Sequence, residues 1–241
     1  MNATPQQVTV LRRGVVYPDS DGEPLGETDF HIGTILYLRC ALRWLFRELQ
    51  DVYVAANMLF YYEEGEPASV TSPDVFAVRG IAKHDRRCYK LWEERVAPCL
   101  AIEVTSRSSR IEDLGTKRGL FEMLGVSEYL VFDPLGEYLE PRFRAFALER
   151  GVYKQAALTP VGEYRSELLP VVFKPEGPFL RALDSRTGVA VPLFEESAEM
   201  AALALREAED ERHRAEDERH RAESLEAKLA RYRERFGELG E

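Results

Sequence analysis

Apolar positions along this chain change period several times between residues 29 and 133, and each change predicts an element. Residues 29 to 49 repeat apolar side chains at helical spacing, with Ile32, Ile35, Leu36, Leu38, Leu42, Leu45, Phe46 and Leu49 on one broad face. Thr28 or Asp29 is placed to cap that helix. Residues 51 to 62, DVYVAANMLFYY, are dense in β-branched and aromatic side chains and predict one strand. A second strand spans 73 to 80, PDVFAVRG, with Pro73 confining its start and Asp74 as its first residue. The polar segment from Ile81 to Trp92 leaves room for a short helix. Ala97 to Thr105 then reads as a third strand, buried on both faces through Leu100, Ala101 and Ile102. Another helix follows, and Glu128 to Phe132 forms a fourth strand that stops at Asp133-Pro134, because Pro134 has no N–H to donate and restricts the residue before it. The predicted order is helix, strand, strand, strand, helix, strand: an α/β fold. Short strands in RAFALE, VYKQAAL and LPVVFK, between 143 and 174, extend the sheet as an antiparallel meander.

From residue 197 the pattern changes. AEDERHR occurs twice, at 208–214 and 215–221, so that Ala208, Ala215 and Ala222 keep a seven-residue period. One apolar position per heptad is narrow for a coiled coil, where two are wanted. The end is richer, since Ala222, Leu225, Leu229, Tyr232 and Phe236 follow a 3-4 spacing. Residues 1–196 are expected to form one globular domain and 197–241 a charged helical tail that self-associates through its C-terminal end, most simply as a dimer. His213 and His220 recur on a solvent face.

The helix after the third strand holds an anomaly. At 100° per residue from Ile111, Leu114 falls at about 300°, Phe121 at about 280°, Leu124 at about 220° and Leu120 at about 180°, while Lys117 falls near 240°, inside the apolar stripe. An ammonium there needs an anion or a route to water, because burying it unpaired costs several kcal/mol or shifts its pKa. The candidate anions are Glu103, at the end of the preceding strand, and Asp113, near 200° on the same helix. The alternative is a lysine that snorkels past its neighbours. Ser106, Ser108 and Ser109 offer N-caps.

Asp74 adds a second strand-end carboxylate. If 73–80 lies antiparallel beside 97–105, Asp74 and Glu103 share a sheet edge, on strands about 4.8 Å apart. Two such carboxylates suit Mg²⁺, which keeps several waters in its octahedron. A cation there would lower the pKa of a bound water and neutralise phosphate charge, while Lys117 positions the nucleophile or stabilises the transition state.

The residues Pro73-Asp74, Glu103-Val104-Thr105-Ser106, Asp113, Lys117 and Gly125-Val126-Ser127-Glu128-Tyr129-Leu130-Val131-Phe132-Asp133-Pro134 together resemble the bacterial "putative restriction endonuclease" domain family of the PD-(D/E)XK nuclease superfamily, over roughly residues 17 to 195. The resemblance implies a restriction-endonuclease-like core of α-β-β-β-α-β order, a mixed sheet flanked by helices. It implies Mg²⁺, with Mn²⁺ as a substitute, held by Asp74, Glu103 and the backbone carbonyl of Val104, and DNA as the substrate. Superfamily members usually place the lysine two positions after the Glu. Thr105 stands there in this chain, and Lys117 matches the family's relocated lysine. An acidic residue near the first helix often joins such a metal site, which makes Glu27 a candidate beside the reading of an exposed loop acid. Asp113 and Thr105 are supporting residues. His31, in the first turn, reads mainly as a local hydrogen-bonding residue.

Charge constrains this reading. The formal net charge is −10, and residues 197 to 241 carry 9 Lys/Arg against 13 Asp/Glu. Tight non-specific binding to nucleic acid through a basic surface is therefore unexpected. Local contacts would come from Arg107, Arg110 and Lys90, or from the cluster Lys83, Arg86, Arg87 and Lys90, each also readable as a solvated face. Tyr89 and Trp92 could touch substrate but fit better as loop packing. Three cysteines, Cys40, Cys88 and Cys99, give neither a disulfide framework nor a zinc spacing. No stretch of about 18 apolar residues predicts a membrane span, and the N-terminal residues lack a signal-peptide h-region, so the expected location is cytoplasmic. Two functions follow: a Mg²⁺-dependent endonuclease-like hydrolase, or an inactive nuclease-like scaffold that assembles through its C-terminal helix.

Overall fold

Helix α1 (Asp29–Leu45) begins where the Thr28 hydroxyl accepts a hydrogen bond from His31 N–H at 3.3 Å, a side-chain cap for one of the N–H groups a helix start leaves unpaired. It ends earlier than the periodicity predicts, at Leu45, although Phe46 remains fully buried. Lys83 fastens that end by donating to the carbonyls of Phe46 and Arg47. The structure is a computed structural model and describes residues 15–18 and 28–237. The chain divides into two units, Met1–Val191 and Pro192–Glu241.

The first unit is built on a six-stranded mixed sheet of order β1-β4-β6-β7-β8-β9. Its strands are β1 (Val52–Ala56), β4 (Val75–Arg79), β6 (Leu100–Val104), β7 (Glu128–Phe132), β8 (Phe143–Glu149) and β9 (Val152–Gln155). Only β6 and β7 pair in parallel; the other neighbours are antiparallel. A parallel pair needs a crossover, and here the crossover is the helix that carries Lys117. The central strands are apolar on both faces, with Val75, Phe76, Ala77, Leu100, Ala101, Ile102, Leu130 and Val131 fully buried, as a sheet covered on both sides requires. The α-β-β-β-α-β order of a restriction-endonuclease-like core is therefore present as α1, β1, β4, β6, the crossover helix and β7.

Three predictions are corrected. The strand expected over 51 to 62 is two strands in different sheets, because Asn57 takes φ 45° and breaks the run; asparagine tolerates that left-handed backbone better than most residues. Beyond it, β2 (Phe60–Tyr61) joins β3 (Val70–Thr71) and β5 (Tyr89–Lys90) in a separate small sheet. A short helix, α2 (Leu91–Glu94), follows β5 directly.

The meander is also corrected. LPVVFK does not extend the main sheet, since β11 (Val171–Glu176) pairs with β10 (Tyr164–Arg165) and β12 (Phe179–Asp184). After β9 the chain turns at Thr159–Gly162, with Gly162 at φ 81°, and the Glu128 carboxylate then holds Ser166 Oγ at 2.6 Å and Glu167 N at 2.8 Å. This second sheet meets α1: Thr34 Oγ1 donates to Pro178 O at 3.1 Å, and Tyr37 accepts from Ala182 N–H at 3.1 Å.

The third correction concerns the crossover helix, which is not a uniform α-helix. A turn of α3 (Arg110–Glu112) leads into a π-helical turn, Asp113–Lys117, and then α4 (Arg118–Leu124). The wider turn shifts the stripe expected at 100° per residue. Ile111, from which those angles are counted, is 78 % exposed, whereas Asp113 and Phe121 are buried. Ser109 Oγ accepts from Ser106 N–H at 3.0 Å instead of capping α3.

The second unit is one long helix, α5 (Phe194–Phe236), started by Leu193 N–H donating to Glu196 Oε2 at 2.7 Å. No described helix is long and apolar enough to cross a membrane. The three cysteines are free, with Cys99 buried.

Candidate active site

The C-terminal end of β6 and the N-terminal end of β4 form the relevant edge. The register that sets Val75 opposite Ile102 continues to bring Asp74 opposite Glu103. Asp74 is oriented by a backbone group: Val104 N–H donates to its Oδ2 at 2.7 Å. His31, on the first turn of α1, brings Nε2 to 3.6 Å from the same oxygen.

Lys117 enters from the crossover helix. Its ammonium donates to Glu103 Oε2 at 2.9 Å and lies 3.4 Å from Asp113 Oδ1. The side chain is 15 % exposed and that of Glu103 only 1 %. Tyr129 steadies the π turn by donating its hydroxyl to Asp113 O at 2.7 Å. Two carboxylates, those of Glu103 and Asp113, thus hold one ammonium, which also feels the charge of Asp74. Burial, and next the charge of Asp74, pushes the Glu103 carboxyl well above the usual carboxylate range, against the opposing pull of Lys117. Burial alone would lower the Lys117 ammonium, but Glu103, Asp113 and Asp74 outweigh it and hold it raised and charged. Burial likewise raises the Tyr129 phenol, helped by Glu103 and Asp113.

A cleft of about 210 Å³ lies beside this edge, with His31, Thr105, Ser106, Arg107, Asp133 and Tyr138 among its walls. Its far wall hangs on Asp133, whose buried carboxylate accepts from four backbone N–H groups, those of Leu135, Gly136, Tyr138 and Leu139.

The structure brings together Glu103, Asp113 and Lys117, and sets Asp74 on the neighbouring strand end. Val104 contributes through its N–H. Thr105 is buried, with its hydroxyl 3.5 Å from Ser109 Oγ. Arg107 is at the cleft, while Arg110 is exposed at the start of α3. Lys90 is elsewhere, paired to Glu93 at 2.9 Å and lying over the Tyr17 ring. Arg86 is taken up by a two-point pair with Glu94, Nε to Oε1 at 2.6 Å and Nη2 to Oε2 at 3.0 Å. Tyr89 is buried as loop packing. Glu27 lies outside the described residues. His31 is the residue whose place at the site the sequence reading gave least weight. Its signal was its position four before Ile35 and seven before Leu38, on the buried face of α1.

The donor set fits a hard divalent cation. Glu103 Oε1 is buried without a hydrogen-bond partner among the described residues, and Asp74 lies on the neighbouring strand end. Among the described residues no three His, Cys, Asp or Glu side chains form a ready metal-holding group; Mg²⁺ asks for only one or two carboxylates and completes its shell with water.

A search among curated proteins gives no match. Among solved structures, a putative nuclease belonging to DUF820 from Anabaena variabilis is similar at 12% identity and a TM-score of 0.42, over 56% of this chain and 73% of that one. Residues 11–174, which contain the whole strand-end cluster and its lysine, match Uma2, described as "Putative restriction endonuclease", and the chain belongs to that family.

Proposed function

We propose that this protein is a Mg²⁺-dependent, endonuclease-like phosphodiester hydrolase acting on DNA, with Asp74 and Glu103 as metal ligands and Lys117 as the catalytic cation. The observation that carries this reading is the Lys117 ammonium held 2.9 Å from Glu103 and 3.4 Å from Asp113, with Asp74 on the neighbouring strand end. A bound divalent cation would supply positive charge against the phosphate and a more acidic water. The chain's own part is electrostatic and positional. Val104 N–H fixes the Asp74 carboxylate. Asp113 holds the lysine on the Glu103 side, where its charge, permanently present at neutral pH, is aimed at negative charge developing on a phosphate oxygen. His31 packs against Asp74 and narrows the approach from α1.

The test is cleavage of plasmid DNA with and without Mg²⁺ or Mn²⁺, comparing the native chain with Asp74→Ala and Lys117→Ala. Metal-dependent cleavage lost in both variants supports the hydrolase; absence of both cleavage and metal binding sinks it.

A second reading, an inactive nuclease-like scaffold, is favoured by one observation. Leu225, Leu229 and Tyr232 are exposed along α5 at the 3-4 spacing of an association seam. A homodimer formed through this segment is part of both readings, and only the cleavage assay separates them.

A further inference from the structure

We infer that the cleft beside the Asp74–Glu103 edge receives an unpaired nucleobase, so that the substrate is a single strand or an unpaired nucleotide and not intact duplex. The inference rests on the hydrolase reading for its phosphodiester and names the substrate class of that same site.

Size is the first argument. At about 210 Å³ the cleft is below the roughly 300 Å³ at which pockets for drug-sized ligands begin, room for one flat ring system and its sugar but not for a double helix. The lining is the second. Phe30, 47 % exposed at the first turn of α1, and the part-exposed Tyr138 present aromatic surface to the cleft from two different segments. Aromatic rings presented to a nuclease cleft are what base stacking uses, and stacking needs the base out of its pair. The Ser106 hydroxyl and the exposed Arg107 also line the cleft. A hydroxyl and a guanidinium suit the edge of a base and the phosphate that follows it.

Charge is the third. A duplex is held chiefly by many cations along its backbone, yet the chain is formally −10, and Lys83, Arg86 and Lys90 are bonded to carbonyls or carboxylates of the protein itself. One stacked base with one arginine asks for far less positive surface. Connectivity is the fourth: His31 joins the cleft to Asp74, and Thr105 directly follows the strand that carries Glu103, so a base seated there sets its own phosphodiester at the catalytic edge.

The experiment is fluorescence anisotropy on the full chain in EDTA, which separates binding from cleavage. The probes are a labelled single-stranded DNA oligomer, an RNA oligomer of the same sequence and the DNA duplex. The inference expects either single strand to bind at least about ten-fold tighter than duplex, and Tyr138→Ala or Phe30→Ala to weaken that binding by about ten-fold each, with Tyr138→Phe retaining it. Arg107→Ala should lower the salt slope by about 0.7, the loss of one phosphate contact on a single strand. Equal DNA and RNA binding, or a preference for either strand, agrees with base stacking. Duplex bound as tightly as single strands, or alanine variants with native circular dichroism and unchanged binding, overturns it. When the same probes are incubated with Mg²⁺ in place of EDTA, metal-dependent cleavage with duplex preferred would defeat this inference and leave the hydrolase standing; single-strand binding through Tyr138 in EDTA with no cleavage of any probe in Mg²⁺ would defeat the hydrolase instead.

Discussion

Lys117 Nζ and Glu103 Oε2 are 2.9 Å apart, although one belongs to a strand and the other to the helix that follows it 14 residues later. The pair is buried, and its partners are not equivalent. Lys117→Ala leaves Glu103 and Asp113 facing each other without a cation, which should cost about 3 kcal/mol of stability and abolish cleavage. Glu103→Gln removes a buried carboxyl whose ionisation burial and Asp74 already disfavour, and keeps an acceptor for the lysine. It should change stability by less than about 1 kcal/mol while also abolishing cleavage. Thermal denaturation beside a plasmid assay checks both, and a strongly destabilised Glu103→Gln would contradict the charge argument.

Asp74 joins the site by one backbone hydrogen bond and by its charge. Asp74→Asn keeps an acceptor for Val104 N–H and removes the charge, so metal-dependent cleavage should fall at least about 100-fold with unchanged melting. Asp74→Ala also strands the amide and should lose a further 1–3 kcal/mol or so of stability. Isothermal titration with Mg²⁺ on the two variants separates loss of metal from loss of fold.

The cleft wall depends on Asp133. Replacing it with alanine leaves the N–H groups of Leu135, Tyr138 and Leu139 without their acceptor and Gly136 with only the Asp133 carbonyl, and should destabilise the protein by about 3 kcal/mol or more. Hydrogen exchange should quicken first over Leu135–Leu139, before global unfolding.

The Arg86–Glu94 pair predicts a pH effect. The hydrogen-bonded Arg86 guanidinium holds the Glu94 carboxyl below its ordinary value, against partial burial. A depressed acid binds fewer protons folded than unfolded, so its contribution is complete above the unfolded value, about 4.3, and fades as pH falls through the lower folded value. Glu94→Gln should be less stable by about 2 kcal/mol at pH 7 and should converge toward the native chain in acid. Urea denaturation across pH 2 to 7 reads the convergence; a constant gap would refute it.

The homodimer proposed through α5 predicts that Leu225→Lys with Leu229→Lys yields a monomer on sedimentation without changing cleavage per chain. Retained dimers would place the contact elsewhere.

Much of this architecture could be read from periodicity. Leu100–Ile102 announced a doubly buried strand, Pro134 ended β7, and the break in the apolar stripe at Lys117 marked a lysine that needed an anion. What escaped had a physical reason each time. Asn57 supplies a left-handed residue inside an otherwise unbroken β pattern, and single-residue backbone choices carry little periodic signal. The π turn alters the very angle per residue on which the stripe was drawn, and the apolar pattern alone carries no sign of it. LPVVFK has the composition of a sheet strand in either sheet, and only long-range ties such as Glu128 to Ser166 decide which. His31 is a residue type with many uses, so its closeness to Asp74 depended on how α1 leans over the sheet.

The five-residue π turn from Asp113 to Lys117 makes enzyme engineering here a contest between sturdiness and aim. Gly115 lies inside it with open space around its missing Cβ, so Gly115→Ala would favour an ordinary helix by up to about 1 kcal/mol. A selection for heat resistance would welcome that change, and a straightened helix would then point its lysine away from the acid it serves.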